Sequence, residues 1–365
     1  MNSNLYSYRE GKSTEDALHK VVHKIEKAIS TQKVAVALFL DIEAAFSNAT
    51  IESMREGLQA KGVNKILIDW IVSSLKNRTA IAVKDSFSVK KKIEKGCPQG
   101  GILSPFLWNL IMDDLLKMFP KVHPTEIICY ADDVLLLGSG IDEKSIISNL
   151  QKDVESLEAW AGKHKLNFSP SKTKLMLFSK RRNKIKPTLK LNQTPIDWVD
   201  SFKYLGITLD SKLGWTQHIE NAINKATLAL IQCRKLLGRQ WGLNPKVMLW
   251  LYTAIVRPIM SYGSLVWAPL AENDRTKNKL NKLQRRACLM ITNASCSTPT
   301  AGMEVILSLV PLNIHVKKCA ITSHLRMRRQ GTWTTKIGET GKSLHGLAVM
   351  RWAREIPNLD MPLDK

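Results

Sequence analysis

Acidic residues are in short supply. Asp and Glu number 32 against 54 Lys and Arg, which leaves a formal charge of +22 and a pI near 9.7. That balance is the electrostatic footprint of a chain that binds phosphate backbones. Long apolar runs are lacking as well. The most apolar stretch, residues 247–270, is interrupted by Arg257-Pro258 and is too polar to span a bilayer, so membrane attachment is not expected. The N-terminus has neither the charged start nor the apolar core of a signal peptide, and the chain is expected to stay inside the cell. Six cysteines, at 97, 129, 233, 288, 296 and 319, show no metal-ligand spacing. An intracellular chain keeps them reduced, which argues against zinc and against a disulfide framework. Internal repeats and low-complexity blocks are absent.

What is present is a pattern of carboxylates. Tyr130-Ala131-Asp132-Asp133 lies between two short apolar runs, 127–130 and 134–137, so Ala-Asp-Asp is expected at the tight turn of a hairpin. About ninety residues earlier, the almost uninterrupted apolar run 34–40 predicts a strand that delivers Asp41 to its carboxyl end. If these strands are neighbours, Asp41 and Asp132 converge. Carboxylates gathered that closely are unstable unless cations neutralise them, and two Mg²⁺ ions can clamp the attacking and leaving oxygens of a phosphoryl transfer. A lone Asp-Asp would be turn chemistry; the apolar flanks and the distant partner favour the metal reading. Between the aspartates, Gly96-Cys97-Pro98-Gln99-Gly100-Gly101-Ile102-Leu103-Ser104-Pro105 is a glycine-rich loop. It opens a helix whose Phe106, Leu107, Leu110, Ile111, Leu115 and Leu116 fit a 3.6 period. Glycines let a backbone approach a ligand closely, and a helix start favours anionic groups.

Asp41 with Phe46 five residues on, the Gly-x-Pro-Gln-Gly-x-x-Leu-Ser-Pro loop and Tyr-Ala-Asp-Asp, in that order, resemble three hallmark motifs of reverse transcriptases. The match is closest to non-LTR (LINE-type) retrotransposons of the jockey, I and R1 kind. Leu166-Asn167-Phe168 with Lys172-Thr173-Lys174 resembles the next family motif, and Phe202-Lys203-Tyr204-Leu205-Gly206 the primer-grip hairpin. Tyr262-Gly263 with Trp267, then Leu283-Gln284-Arg285-Arg286-Ala287, resemble the segment downstream of the polymerase core, so the similarity spans almost the whole chain.

The resemblance implies an RNA-directed DNA polymerase that extends a DNA primer on an RNA template with deoxynucleoside triphosphates, using two Mg²⁺ ions, with Mn²⁺ able to substitute. Asp41 and Asp132 would ligate the ions, with the Ile42 carbonyl and Asp133 as lesser contributors. Phe46 would be the steric gate against a 2′-hydroxyl, or an ordinary core phenylalanine. Gln99 and Gly100 would lie under the incoming nucleotide and template base. Lys172 would protonate the departing pyrophosphate, or be a solvated lysine at a strand start. Tyr204, Leu205 and Gly206 would hold the primer terminus, or close a plain hairpin. Ser47 stands where related chains usually carry Asp, and impairment rather than abolition is expected from it. Residues 8–15 resemble only the last part of the family's fingers, and neither an endonuclease nor an RNase H domain is recognised. The resemblance thus suggests a fragment of an element that is a poor polymerase; the alternative is a catalytically inactive nucleic-acid-binding remnant. Such an element would act in the nucleus and be translated in the cytoplasm.

The order of predicted elements is α+β. Residues 1–31 would be a remnant of the fingers, and 32–210 a palm with an antiparallel sheet and helices on one face. An all-helical thumb and connection would follow over 211–330, then a loosely structured tail over 331–365, where apolar periodicity fades. Helices are predicted near 13–29, capped by Ser13 and Asp16, and near 51–61, 64–77, 143–160, 217–237, 245–261 and 274–292. A hairpin is predicted through 81–83 and 87–89, with strands near 175–178 and 202–209. Basic residues cluster at Lys90-Lys91-Lys92, at Lys180-Arg181-Arg182 with Lys184 and Lys186, across 277–286 and across 317–329. Beside a polymerase signature they suit a track for nucleic acid. In the helix over 274–292, Leu280, Leu283, Ala287 and Met290 form the apolar stripe, and Lys279, Lys282 and Arg286 a flanking stripe able to touch a duplex.

Overall fold

The apolar run that ends at Asp41 becomes a central strand, and the register of its neighbours organises the first half of the chain. The computed structural model describes residues 1–85, 87–120, 122–181, 185–235, 244–336 and 345–355. In chain order the strands are β1 (Val34–Asp41), β2 (Arg78–Lys84), β3 (Phe87–Ile93), β4 (Thr125–Tyr130), β5 (Asp133–Gly140), β6 (Lys174–Phe178), β7 (Lys190–Leu191), β8 (Thr194–Pro195), β9 (Ser201–Tyr204) and β10 (Ile207–Asp210). The helices are α1 (Thr14–Ser30), α2 (Ala45–Asn48), α3 (Ile51–Ala60), α4 (Lys65–Lys76), α5 (Ser104–Lys117), α6 (Glu143–His164), α7 (Thr216–Arg234), α8 (Pro245–Leu251), α9 (Arg257–Ser261), α10 (Ser264–Trp267), α11 (Asp274–Thr292), α12 (Thr300–Ile306), α13 (Leu312–Arg329) and α14 (His345–Arg354). Two compact units result, Met1–Ala17 with Thr31–Phe202 and Leu18–Ser30 with Lys203–Lys365.

In the first unit the sheet order is β4-β5-β1-β6, and each neighbouring pair is antiparallel. Leu38 stands opposite Leu136 on one side and Leu175 on the other, so one face is set by a ladder of apolar partners. That face shares a core with Met54, Ile71, Trp108 and Leu157 from α3, α4, α5 and α6. Ala35, Ala37, Phe39, Leu135, Leu137, Met176 and Phe178, on the opposite face, are buried too. Burial on both sides is why β1 reads as an unbroken apolar run instead of an alternation. Ser13 and Asp16 pair at the start of α1 as expected, Asp16 Oδ2 accepting from Ser13 N and Oγ at 3.0 and 2.5 Å. The residues ahead of α1 do something the pattern did not reveal. Tyr6 N donates to Cys129 O and Cys129 N to Asn4 O, both at 3.0 Å, so the segment lengthens the sheet beyond β4.

The second unit is mainly helical after the β9–β10 hairpin. The single helix expected over 245–261 is instead α8, a π-helical turn over Tyr252–Val256, and α9. Pro258 has no N–H for the carbonyl four residues back, so an uninterrupted ladder cannot form there. The expectation of a loose tail after Gly331 is corrected by α14, whose Val349, Trp352 and Ala353 are buried. Ten residues are too few for periodicity alone to announce a helix. The rest of that expected tail, 337–344 and 356–365, lies outside the described residues, as do Arg182, Lys184 and Leu237. Among the described residues no helix is long and apolar enough to cross a membrane.

Candidate active site

Register decides which carboxylates meet. Asp41, the last residue of β1, pairs with Asp133, the first of β5. Tyr130 also pairs with Asp133, which leaves Ala131 and Asp132 as a two-residue hairpin turn. Ala131 takes φ +54° there, the left-handed conformation that the first turn position demands. Trp108 of α5 donates its indole N–H to the Ala131 carbonyl at 2.9 Å and fixes the turn. Burial, and then the charges of Asp132 and Asp41, push the Asp133 acid up to about 6. Lys172 Nζ donates to Asp41 Oδ2 at 3.1 Å, and this contact raises the pKa of the lysine.

The four catalytic candidates therefore share one end of the sheet. Among the described residues, no group of three or more His, Cys, Asp or Glu side chains closes into a metal cage. The donors present still suit Mg²⁺, which prefers one or two carboxylates completed by water and substrate phosphates to an all-protein cage. A half-buried carboxylate with two others in its field is the kind of group that a hard cation stabilises. The chain beyond β1 is held by the segment before β6: Glu43 N donates to Asn167 O at 2.9 Å and Ser169 N to Asp41 O at 3.0 Å. Ile42 faces Phe168 in that bridge with its side chain buried, and its own carbonyl takes no part in the two bonds.

Phe46, on the short α2, is half-buried. Its ring centroid lies 5.6 Å from that of Trp108 and 6.3 Å, edge-on, from that of Tyr8. It is thus part of the packed interior and also a site neighbour. The glycine loop lies directly on α2, with Cys97 N donating to Phe46 O at 2.8 Å and Gly96 N to Ala49 O at 2.7 Å. Gly96 has φ +82°, and a Cβ there would stand 2.6 Å from Ser47 O and 2.8 Å from Phe46 O. Only glycine permits that approach. Ser104 Oγ donates to Pro98 O at 2.7 Å and closes the loop, leaving Gln99 and Gly100 exposed at its tip.

The second unit holds the remaining candidates. Tyr204 is 3% exposed and belongs to the core, while Leu205 and Gly206, both with positive φ, form the β9–β10 turn. Tyr262 Oη donates to Leu205 O at 2.9 Å, so two motifs far apart in sequence meet. A groove of about 240 Å³ between α7 and α11 is lined by Glu220, Asn224, Lys279, Lys282 and Arg286. Lys279 is already paired with Glu220 at 2.6 Å, whereas Lys282 and Arg286 are exposed. The buried stripe of α11 runs through Leu280, Leu283, Ala287 and Ile291; Met290 stands half-exposed, a correction of one position. Sequence reasoning missed Trp108 as a support of the Asp132 turn. Its signal was an indole N–H within an apolar stripe, a donor that must find an acceptor when buried.

The family model described as reverse transcriptase (RNA-dependent DNA polymerase) matches residues 1–209. The chain belongs to that family. This reverse transcriptase chain is 28% identical over 307 residues to the RNA-directed DNA polymerase from mobile element jockey of Drosophila melanogaster, covering 82% of this chain and 33% of the relative. It is 26% identical over 324 residues to the retrovirus-related Pol polyprotein from type-1 retrotransposable element R1 of Bradysia coprophila, covering 88% and 32%. These relatives bear out the retrotransposon resemblance drawn from the motifs. The chain spans about a third of the length of the curated relatives it matches. Among solved structures, a Candida tropicalis telomerase in complex with a fragment of telomeric RNA aligns with a TM-score of 0.44 and 10% identity, covering 96% of this chain and 53% of that one.

Proposed function

We propose that this chain carries the nucleotidyl-transfer centre of a non-LTR retrotransposon RNA-directed DNA polymerase, joining a deoxynucleotide to the 3′-hydroxyl of a DNA primer paired with an RNA template. The observation that carries the reading is the placement of Asp41 opposite Asp133 with Asp132 in the adjoining turn, inside the segment that matches the family. Mg²⁺ bound by Asp41, Asp132 and Asp133, with the Ile42 carbonyl, would neutralise their charge and polarise the attacking and leaving oxygens. The residues supply the positioning on which phosphoryl transfer depends. Phe46, backed by Trp108, would set its flat ring against a 2′-hydroxyl. Gln99 and Gly100 offer an exposed loop to the nucleotide and template base. Lys172 keeps a positive charge on Asp41 and would give a proton to the departing pyrophosphate.

In the same reading the first unit is the palm and the second the thumb and connection. The Leu205-Gly206 turn would support the primer terminus by its backbone, and Lys282 and Arg286 would take backbone phosphates. The test is primer extension on poly(rA) with oligo(dT) and Mg²⁺, beside Mn²⁺ binding followed by electron paramagnetic resonance. Asp132→Ala is expected to lower extension by about a thousandfold, about 4 kcal/mol of transition-state stabilisation, and to weaken Mn²⁺ binding. Extension or ion binding that survives the substitution overturns the assignment.

A further inference from the structure

The segment ahead of α1 is fastened to the first unit at several points, and one exposed ring stands between the fastenings. Leu5 pairs in parallel with Cys129 of β4, so the chain leaves the sheet at the end where the Ala131-Asp132 turn stands. Ser7 is tied to α5: Asn109 Nδ2 donates to Ser7 O at 2.9 Å and Ser7 Oγ to Asn109 Oδ1 at 3.2 Å, with both residues fully buried. Arg9 folds back and donates from Nη1 to the carbonyls of Asn2 and Leu5. Between these anchors Tyr8 takes φ +50°, a left-handed conformation that a bulky residue adopts only when its surroundings impose it. Leu5, Tyr6 and Ser7 are buried, yet Tyr8 is 56% exposed. Its ring meets that of Phe46 edge-to-face, with centroids 6.3 Å apart and planes at 85°. Phe46 meets Trp108 in turn, at 5.6 Å. Trp108 is fully buried and Phe46 half-buried, so the three rings run from core to surface with Tyr8 outermost.

A ring that rejects a 2′-hydroxyl by contact works only while it is held within about 0.5 Å of its place. Trp108 supplies that hold from the core, and Tyr8 is the ring that supplies it from the surface. We propose that Tyr8 is a positioning residue for nucleotide selection: by bracing Phe46 it keeps the site narrow at the sugar and sets how sharply a deoxynucleoside triphosphate is preferred to a ribonucleoside triphosphate. Tyr8 acts through Phe46 and takes no part in bond making. The proposal rests on reading Phe46 as the group that meets the 2′ position.

The experiment is equilibrium binding of dTTP and of UTP to the full chain on poly(rA) with an oligo(dT) primer that ends in a dideoxynucleotide, so that no turnover is needed. Steady-state incorporation on an extendable primer runs beside it. Tyr8→Ala and Tyr8→Gly should each lower the preference for dTTP over UTP about tenfold, chiefly by tightening UTP. In incorporation the change should fall on KM for UTP, with kcat for dTTP kept. Tyr8→Phe keeps the ring and should keep the parent's preference. Tyr8→Gly frees the backbone of its strained φ without restoring the ring, so a preference regained in that variant overturns the brace in favour of backbone strain. Equal weakening of dTTP and UTP also overturns it, since Tyr8 then bears on the base or the template. A parent that binds the two nucleotides alike, or binds neither, removes the gate and the brace with it. Phe46→Ala separates the two readings. If it abolishes the preference while Tyr8→Ala leaves it intact, the brace alone fails; if it leaves the preference intact, the reading of Phe46 fails.

Discussion

Asp133 concentrates the cost of the site in one carboxyl group. Its folded pKa, about 6, lies above the ordinary carboxylate value, so the unfolded chain ionises first as pH rises. The stability the group contributes without metal is full below about pH 4 and is lost as pH climbs through about 6. Denaturant unfolding of the metal-free protein should show a loss over that window of no more than about 2 kcal/mol, because partial exposure screens the group. Asp133→Asn should remove the dependence, and a pH profile unaltered in that variant would contradict an origin in this carboxyl group. Gly96→Ala makes a second residue-scale prediction. The added methyl meets two backbone carbonyls, so destabilisation of about 2–4 kcal/mol is expected in urea melts; a change under about 1 kcal/mol would mean the loop shifts freely. Residue types were the most legible part of the site. Asp41 and Asp132 announced themselves because strand ends and turns expose carboxylates. The pairing of Lys172 with Asp41 was not legible, because 131 positions separate them and a lone lysine has no pattern.

Among elements, α11 is the one whose bounds and charged stripe the periodicity forecast in full, since nineteen residues give the 3.6 repeat time to declare itself. Its partner α7 changes the meaning of that stripe. Glu220 neutralises Lys279, so the groove presents Lys282 and Arg286 as its effective charges. Binding of an RNA:DNA duplex should lose about one unit of salt slope for each of Lys282→Gln and Arg286→Gln, and less for Lys279→Gln. Equal losses at all three positions would show that the Glu220 pair opens on binding. Elements set by long-range pairing, by a single proline or by too short a repeat were the illegible ones: the edge segment at Leu5, the π-turn before Pro258, and α14.

On the scale of the whole molecule, acid acts with opposite signs on Asp133 and on the buried histidines. Burial drives His218, His315 and His324 of the second unit down to about 4, and His19 lies well below its ordinary value. Each stays neutral when folded and takes up its proton more readily when unfolded, so stability is lost as pH falls from about 6.5 to about 4. His19 is further held by a directed chain. Thr334 N donates to His19 Nε2 at 3.3 Å, so the proton of His19 sits on Nδ1 and points at His345 Nε2, 2.8 Å away, and His345 Nδ1 then donates to Glu26 at 2.8 Å. Amide hydrogen exchange in α7 and α13, the helices that carry His218, His315 and His324, should reveal opening of this unit at lower denaturant as pH drops to 5, while the Asp133 contribution to the first unit grows. A second unit indifferent to pH over that range would require these histidines to be solvated.

The place of β1 in its sheet also governs when the carboxylates can meet. It is bracketed by β5 and β6, strands synthesised about a hundred and more residues later, whereas β4 and β5 need only each other and a two-residue turn. Closing such long loops costs entropy before any contact returns it, so the Asp132 turn forms early and Asp41 joins it late. During synthesis, a nascent chain ending before Phe178 carries β1 as a bare apolar edge, open to pairing with another copy. A premature stop in this stretch should therefore yield aggregate-prone protein, with the sheet left open along β1.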